Sequence, residues 1–276
     1  MEIGVLTLNV EGYRRFFNPT LGGNNNNLKL LDNLISEYNP DVLLLQEDIL
    51  QDIENIYPSD WVRVSVCESH DSSVPNPKKP RSYKPFCNSI LVRPYNVVNV
   101  ISSDQKDLIG NNTPLRCSAT IDYKLQNKII KISTLHLSGG RYEDSRYNEI
   151  TYLRDDQIKM LIGSDIIAGD FNSNPNDNKI PKSHPVYKSL ITDLEKQTFF
   201  NYFKSGHRPL LDNGYFPVKI DKNTDMYGGT PDAYYYNPDV LILLETHIIN
   251  CLDYKTIKGD PLLTDHNGIY CKFRIK

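Results

Sequence analysis

The stretch "IIAGDFNSNP", residues 166–175, decides how the rest of the chain is read. Ile166, Ile167 and Ala168 read as the end of a buried strand. After Gly169 the chain presents Asp170, then Asn172 two residues later, with Pro175 close behind. In an extended chain, residues two apart face the same side. Carboxylate and carboxamide therefore project together at a strand end, where functional groups concentrate on loops held by a rigid scaffold. The same letters also suit a plain turn, because Asp, Asn, Ser, Gly and Pro are all common turn formers. Taken alone, the stretch leaves turn and site level.

The surrounding chain has 276 residues, 39% hydrophobic and 24% charged, with a formal net charge of -3. That length fits one α/β or all-β sandwich, and a single catalytic domain over residues 1–276 is expected. The slight negative charge excludes nucleic-acid binding through an overall positive field, so phosphate contacts have to be local. Cys67, Cys87, Cys117, Cys251 and Cys271 show no CxxC spacing and read as small buried apolar residues in a reducing compartment, not as a zinc site. "MEIGVLTLNVEGYRR" has no basic start followed by an apolar run. The longest apolar runs, such as "VLILL", are too short to span a bilayer. An intracellular protein of cytoplasm or nucleus is expected, and its oligomeric state is not legible.

Working outward, "IGVLTLNV" reads as a strand. In "NNNNLKLLDNLISEYNP", Leu28, Leu31, Leu34, Ile35 and Tyr38 recur at helical spacing and Asn39-Pro40 stops the helix. "DVLLLQE" is a buried strand, and "WVRVSV", "NSILVRP", "NVVNVIS", "LRCSATIDY" and "KIIKISTLHL" are further strands at close spacing. "EDSRYNEITYLRDDQIKMLI" and "VYKSLITDLEKQTFF" read as helices, residues 205–232 as loop-rich and polar, and "DVLILL" and "HNGIYCKFRI" as closing strands. The expected architecture is a four-layer α/β sandwich: two mainly antiparallel sheets face to face with helices outside.

Several polar groups stand where these strands end. Asn9 closes "LTLN", Glu47 closes "LLLQE", His136 lies in "STLHL", and Asp265 and His266 open the last strand in "LTDH". Each has an ordinary reading: a turn cap, a solvated strand end, a satisfied histidine. Their joint order is more specific. With "AGDFN", it resembles the endonuclease/exonuclease/phosphatase superfamily over nearly the whole chain, from Asn9 to His266. Leu8 stands where an aromatic residue often precedes the Asn, and Thr264 replaces the usual Ser. The family's late carboxylate before an apolar strand, often followed by an aromatic residue, is matched to Asp239 in "PDVLIL".

The resemblance implies a Mg²⁺-dependent phosphodiesterase, with Mn²⁺ as a substitute, in which water attacks phosphorus in line. Glu47 is the metal carboxylate. Asn9 holds a metal-bound water or orients Glu47, and Asp265 assists the metal or a leaving-group water. Asp170 is the water-activating base and Asn172 hydrogen-bonds the nucleophile or the phosphate. His136 and His266 donate to the non-bridging oxygens, and Asp239 holds the His266 ring. Arg116 and Arg141, near strand ends, are candidate substrate contacts. Lys78, Lys79, Arg81 and Lys84 surround Tyr83 in a basic loop suited to a nucleic-acid strand or simply to solvent. The expected substrate is RNA or DNA. The alternatives are a lipid or inositol phosphate, or a catalytically silent binding module on the same fold.

Overall fold

The computed structural model describes residues 1–11, 25–49, 60–68, 86–108, 116–137, 147–173, 192–226 and 229–276. In chain order it contains β1 (Glu2–Asn9), α1 (Asn25–Tyr38), β2 (Val42–Ile49), β3 (Val62–Glu68), β4 (Phe86–Val92), β5 (Val100–Leu108), β6 (Arg116–Leu125) and β7 (Lys128–His136). Then follow α2 (Tyr147–Lys159), β8 (Ile166–Asp170), α3 (Asp193–Lys204), α4 (Arg208–Asp212), β9 (Phe216–Pro217), β10 (Asp232–Tyr236), β11 (Leu241–Ile249) and β12 (Gly268–Ile275).

The strands form two six-stranded sheets, ordered β11-β12-β1-β2-β4-β3 and β5-β6-β7-β8-β10-β9. Three apolar clusters separate four layers, as the sequence led us to expect. Between the sheets lie Val5, Val42, Leu44, Ala119, Ile121, Ile132, Ile166, Ala168, Cys271 and Phe273. Outside the first sheet, Leu6, Leu8, Leu43 and Leu45 meet Leu31 and Ile35 of α1. Outside the second, Leu135, Ile167 and Tyr235 meet Ile158 of α2 and Leu210 of α4. The central strands are covered on both faces, which is why "VLLL" and "IIAG" read as continuous apolar runs.

Local chemistry explains the helix ends. Leu28, Leu34 and Tyr38 flank the buried Leu31 and Ile35 on one face of α1, and Asn39 ends the helix at φ +43° ahead of Pro40. Thr192 starts α3 as a reciprocal cap: Glu195 N donates to Thr192 Oγ1 at 3.1 Å and Thr192 N to Glu195 Oε2 at 2.8 Å.

Two expectations are refined. "NVVNVIS" is not one strand: a 3-10 turn over Pro94–Asn99 precedes β5, because Pro94 sets a helical φ at the first position. The loop-rich stretch 205–232 also carries the short α4 and β9 and ends on the first residue of β10. All five cysteines are buried and free, as expected. Among the described residues, no helix is long and apolar enough to cross a membrane.

What positions the site is the pair of parallel contacts. β1 runs parallel to β2, with Asn9 beside Gln46, and β7 runs parallel to β8, with His136 beside Asp170. The carboxyl ends of all four strands therefore reach one end of the sandwich. The antiparallel strand β10 starts there, with Asp232 beside Asp170.

Candidate active site

Asp170 is the hub. Its Oδ1 accepts from Asn172 N at 2.8 Å, and its Oδ2 accepts from Asn9 Nδ2 at 3.1 Å, a bond that crosses between the sheets. His136 Nε2 lies 3.4 Å from the same Oδ2. Arg116 donates to His136 Nδ1 at 3.2 Å. Because the guanidinium only donates, Nδ1 accepts and the single ring proton sits on Nε2. Burial, then the Arg116 charge, pushes His136 down to about 3, so it is neutral. At Asp170 burial works upward, but His136, His266, Asn172 and Asn9 outweigh it and hold the carboxyl below its ordinary value.

Two backbone features build this geometry. Gly169 has φ +150°, and a Cβ there would collide with the Leu135 carbonyl of the adjacent strand. Asn172 is left-handed at φ +50°, pinned by its N–H to Asp170 and by Nδ2 donating to Leu137 O at 2.8 Å. The pair converges through this turn and not through strand alternation, so the opening stretch is a turn that brings carboxylate and carboxamide together.

Glu47 is placed by a bulge. The β2–β4 register slips between Leu45 and Asp48, and Glu47 sits at φ +52°. Gln46 points between the sheets and donates to Thr134 Oγ1 at 2.8 Å. A left-handed non-glycine residue costs about 1–2 kcal/mol, strain of the kind that clusters at functional sites. Glu47 Oε1 lies 3.9 Å from His136 Nδ1. Burial and the facing charges of Asp170 and Asp265 push its carboxyl up to about 7.

His266 Nδ1 bonds Asp232 Oδ2 at 2.8 Å, and His266 Nε2 lies 3.7 Å from Asp265 Oδ1. Burial opposes the charged imidazole, but Asp232, Asp170 and Asp265 hold it well above its usual range. Burial also lifts Asp232, against the pull of His266, to about 6. The proton therefore rests on His266, giving an imidazolium–carboxylate pair. Thr264 locks the approach: its Oγ1 donates to Asn9 O at 2.7 Å and accepts from His266 N at 3.3 Å. The Thr in place of Ser keeps this hydroxyl.

The sequence of strand ends and this geometry coincide with a known family. A model described as the "Endonuclease/Exonuclease/phosphatase family" matches residues 6–218. The chain belongs to this family. No curated protein sequence matches it. Among solved structures, the human Nocturnin catalytic domain with bound sulfate is similar with a TM-score of 0.62 at 14% identity, covering 100% of this chain and 94% of that one. D. rerio TDP2 complexed with single strand DNA product gives 0.62 at 15%, covering 99% of both chains. A Bacteroides thetaiotaomicron endonuclease/exonuclease/phosphatase family protein gives 0.62 at 12%, covering 99% and 97%. At these identities the likeness carries the fold alone. Membership makes the chain kin to phosphoester hydrolases.

The endonuclease/exonuclease/phosphatase match ends at residue 218, so the later site residues rest on geometry. There the structure corrects the sequence. Asp239 lies on an exposed turn, where its N–H donates to Asn237 Oδ1 at 3.0 Å, and it does not hold His266. Asp232 does. Its signal was present: in "PDAYYY" the carboxylate is followed by aromatic residues, the pattern sought and assigned to "PDVLIL" instead. Asn9 donates from Nδ2 to Asp170 and accepts at Oδ1 from Glu11 N at 2.9 Å, so it orients Asp170; beyond these two bonds it keeps one amide proton and one Oδ1 lone pair. His136 Nε2 comes within 3.4 Å of Asp170 Oδ2 in a contact too loose for a hydrogen bond. Arg141 and the basic loop 78–84 lie outside the described residues.

The charge balance tests whether a cation fits. Glu47, Asp170, Asp232 and Asp265 face one another with Arg116 and the His266 imidazolium as counter-charges. Asp265 Oδ1 and Asp232 Oδ1 are buried without a hydrogen-bond partner. Hard carboxylate oxygens in excess suit Mg²⁺ or Mn²⁺, so the residues fit. Asp170, Asp232 and His266 also offer ligand atoms within 4.8 Å of one another. The 2.8 Å His266–Asp232 hydrogen bond already accounts for that spacing. Glu47 and Asp265, facing the same carboxylates, are further candidate holders.

Proposed function

We propose that the chain is a Mg²⁺-dependent phosphodiesterase that hydrolyses RNA or DNA, with Mn²⁺ able to substitute. The observation that carries this is the convergence of Glu47, Asp265, Asp170, His136 and His266 from both sheets on one end of the sandwich, with more carboxylate than cation among them. Glu47 and Asp265 would hold the ion, which supplies charge neutralisation at the phosphate. Asp170, kept ionised by its Asn172 and Asn9 donors and the nearby His266 charge, accepts a hydrogen bond from the attacking water and orients it. As the water attacks, the same carboxylate takes up its proton. The remaining Asn172 amide proton, free of Leu137, reaches the nucleophile or the phosphate. His136, its ring proton held on Nε2 by Arg116 at Nδ1, donates to a non-bridging phosphate oxygen, and Arg116 adds positive charge. His266, charged and aimed by Asp232, donates to a non-bridging oxygen as negative charge develops.

Site residues drawn from Asn9 to His266 support one catalytic unit over 1–276. The five reduced, buried thiols support an intracellular setting. The single strand DNA product described for the D. rerio TDP2 structure supports a nucleic-acid substrate. The deciding experiment is a panel in Mg²⁺: labelled poly(A) RNA, single- and double-stranded DNA, abasic DNA, 5′-tyrosyl DNA, sphingomyelin and inositol phosphates. Cleavage of an oligonucleotide is expected. Hydrolysis confined to lipid or inositol phosphates would replace the nucleic-acid reading, and inertness across the panel would leave a binding module.

A further inference from the structure

Behind the Asp170 turn lies a buried histidine that the reaction does not use. His207 is 3% exposed and precedes α4. Its Nε2 lies 2.9 Å from Ser173 Oγ and its Nδ1 lies 2.8 Å from Tyr235 Oη. Its ring stacks on Phe171 with centroids 4.9 Å apart and planes 12° apart. Phe171 and Ser173 are the residues on either side of Asn172. The imidazole thus grips the turn through both neighbours of Asn172, while Phe171 N donates to Pro231 O at 2.9 Å, next to Asp232.

The direction of each bond follows from counting protons. Ser173 Oγ donates to Phe171 O at 3.1 Å. A hydroxyl has one proton, so Ser173 Oγ accepts from His207. Nε2 therefore carries the ring proton, Nδ1 accepts, and the donor to Nδ1 is the Tyr235 hydroxyl. The chain runs Tyr235 O–H to Nδ1, Nε2–H to Ser173 Oγ, Ser173 O–H to Phe171 O, with every proton placed. Burial pushes the imidazole down to about 3, which agrees with a neutral ring. Gly206, at φ +86°, allows the approach: a Cβ there would meet Leu137 Cδ1 at 2.8 Å.

We propose that His207 is a positioning residue for the Asp170–Asn172 turn, fixing the left-handed Asn172 and, through it, the Asp170 carboxylate, by a one-way hydrogen-bond chain from Tyr235 to Ser173. The inference rests on the phosphodiesterase reading above for its kinetic consequence, but its structural content does not. Side chains anchored behind a reacting group act through geometry, and a displacement of about 1 Å at such a site costs up to about 10²-fold in rate.

The test uses His207→Phe, which keeps the ring stacking on Phe171 and removes both hydrogen bonds, and His207→Gln, which keeps one donor and one acceptor. Two readouts need no activity. The imidazole ¹⁵N spectrum of the wild-type protein should show His207 neutral with the proton on Nε2. The Asn172 amide, which donates to Asp170, should exchange with solvent at least about tenfold faster in His207→Phe, with amides of β1 and β12 unchanged. On the oligonucleotide that the panel identifies, His207→Phe should lower kcat about tenfold or more with KM within about twofold, and His207→Gln should recover part of it. A proton on Nδ1, or a folded His207→Phe with unchanged Asn172 exchange, would overturn the proposal whatever the activity. Changed exchange with unchanged kcat would also overturn the catalytic role. If the wild type cleaves nothing, the phosphodiesterase reading fails and the exchange measurement alone decides the positioning.

Discussion

Glu47→Gln separates the charge of this side chain from its shape. The carboxyl is lifted from 4.5 to about 7, first by burial and then by Asp170 and Asp265. Its neutral form is therefore favoured in the folded state. The fold bears no cost from this group below the unfolded value near 4.5; stability falls as pH rises from there to about 7, and above that the cost is complete. A shift of this size corresponds to about 3 kcal/mol at 1.36 kcal/mol per unit. The side chain is 23% exposed, and screening by water reduces the cost to about 1–2 kcal/mol. Gln occupies the same volume and the same left-handed backbone, so it removes the repulsion and adds no new strain. For a chain of about this size, 1 kcal/mol moves Tm by about 2–4 °C. In EDTA at pH 8, Glu47→Gln should melt roughly 3–6 °C above the wild type, and the gap should shrink towards pH 5. Added Mg²⁺ should reverse the order by stabilising the wild type more, while turnover of the variant collapses. Thermal melts at both pH values, with and without Mg²⁺, read all of this. A variant that melts lower than the wild type in EDTA at pH 8, or that keeps wild-type turnover at limiting Mg²⁺, would refute the reasoning.

Asp232→Asn should cut turnover by about 10²-fold or more, because His266 loses the charge that keeps it protonated and aimed; Asp239→Asn should be silent in the same steady-state assay, and equal losses would undo the correction at His266. Asp170→Asn should lower turnover by at least about 10²-fold and also lower Tm, since the amide presents an NH₂ to one of the donors Asn9 or Asn172; a rise in Tm would contradict the assignment of those donors. Gly169→Ala should destabilise by about 2–4 kcal/mol through the collision with the Leu135 carbonyl, measured by urea melts.

Much of this was legible in the sequence because the fold obeys local rules. Leu31 and Ile35 announce the buried face of α1, and "VLLL" and "IIAG" announce strands covered on both sides. The motif-bearing strand ends are short and consecutive, so Asn9, Glu47, His136, Asp170 and His266 could be picked out in order. What failed was set by tertiary context. Asp232 and Asp239 both follow a Pro and precede a strand, and the aliphatic "VLILL" drew the assignment away from "AYYY". Yet Tyr234 and Tyr235 are almost fully buried, the latter with its hydroxyl satisfied by His207. No local signal puts a Glu at φ +52°; the β2 bulge follows from pairing with β4. The Asn9–Asp170 bond joins residues 161 apart, and the role of Asn9 follows from that partner and not from its neighbours. His207 lay inside a stretch read as loop-rich.

The central claim is a cation-dependent hydrolysis of phosphodiester bonds in nucleic acid at the Asp170 end of the sandwich. Its most direct test is the initial rate of cleavage of an end-labelled oligonucleotide, RNA and DNA in turn, across a titration of Mg²⁺ into EDTA-treated wild-type protein, with folded Asp170→Asn run beside it. The account predicts no cleavage in EDTA, a saturable rise with Mg²⁺ or Mn²⁺, and at least about a 10²-fold lower plateau for the variant. Cleavage that persists in EDTA, or a variant as fast as the wild type, would contradict it.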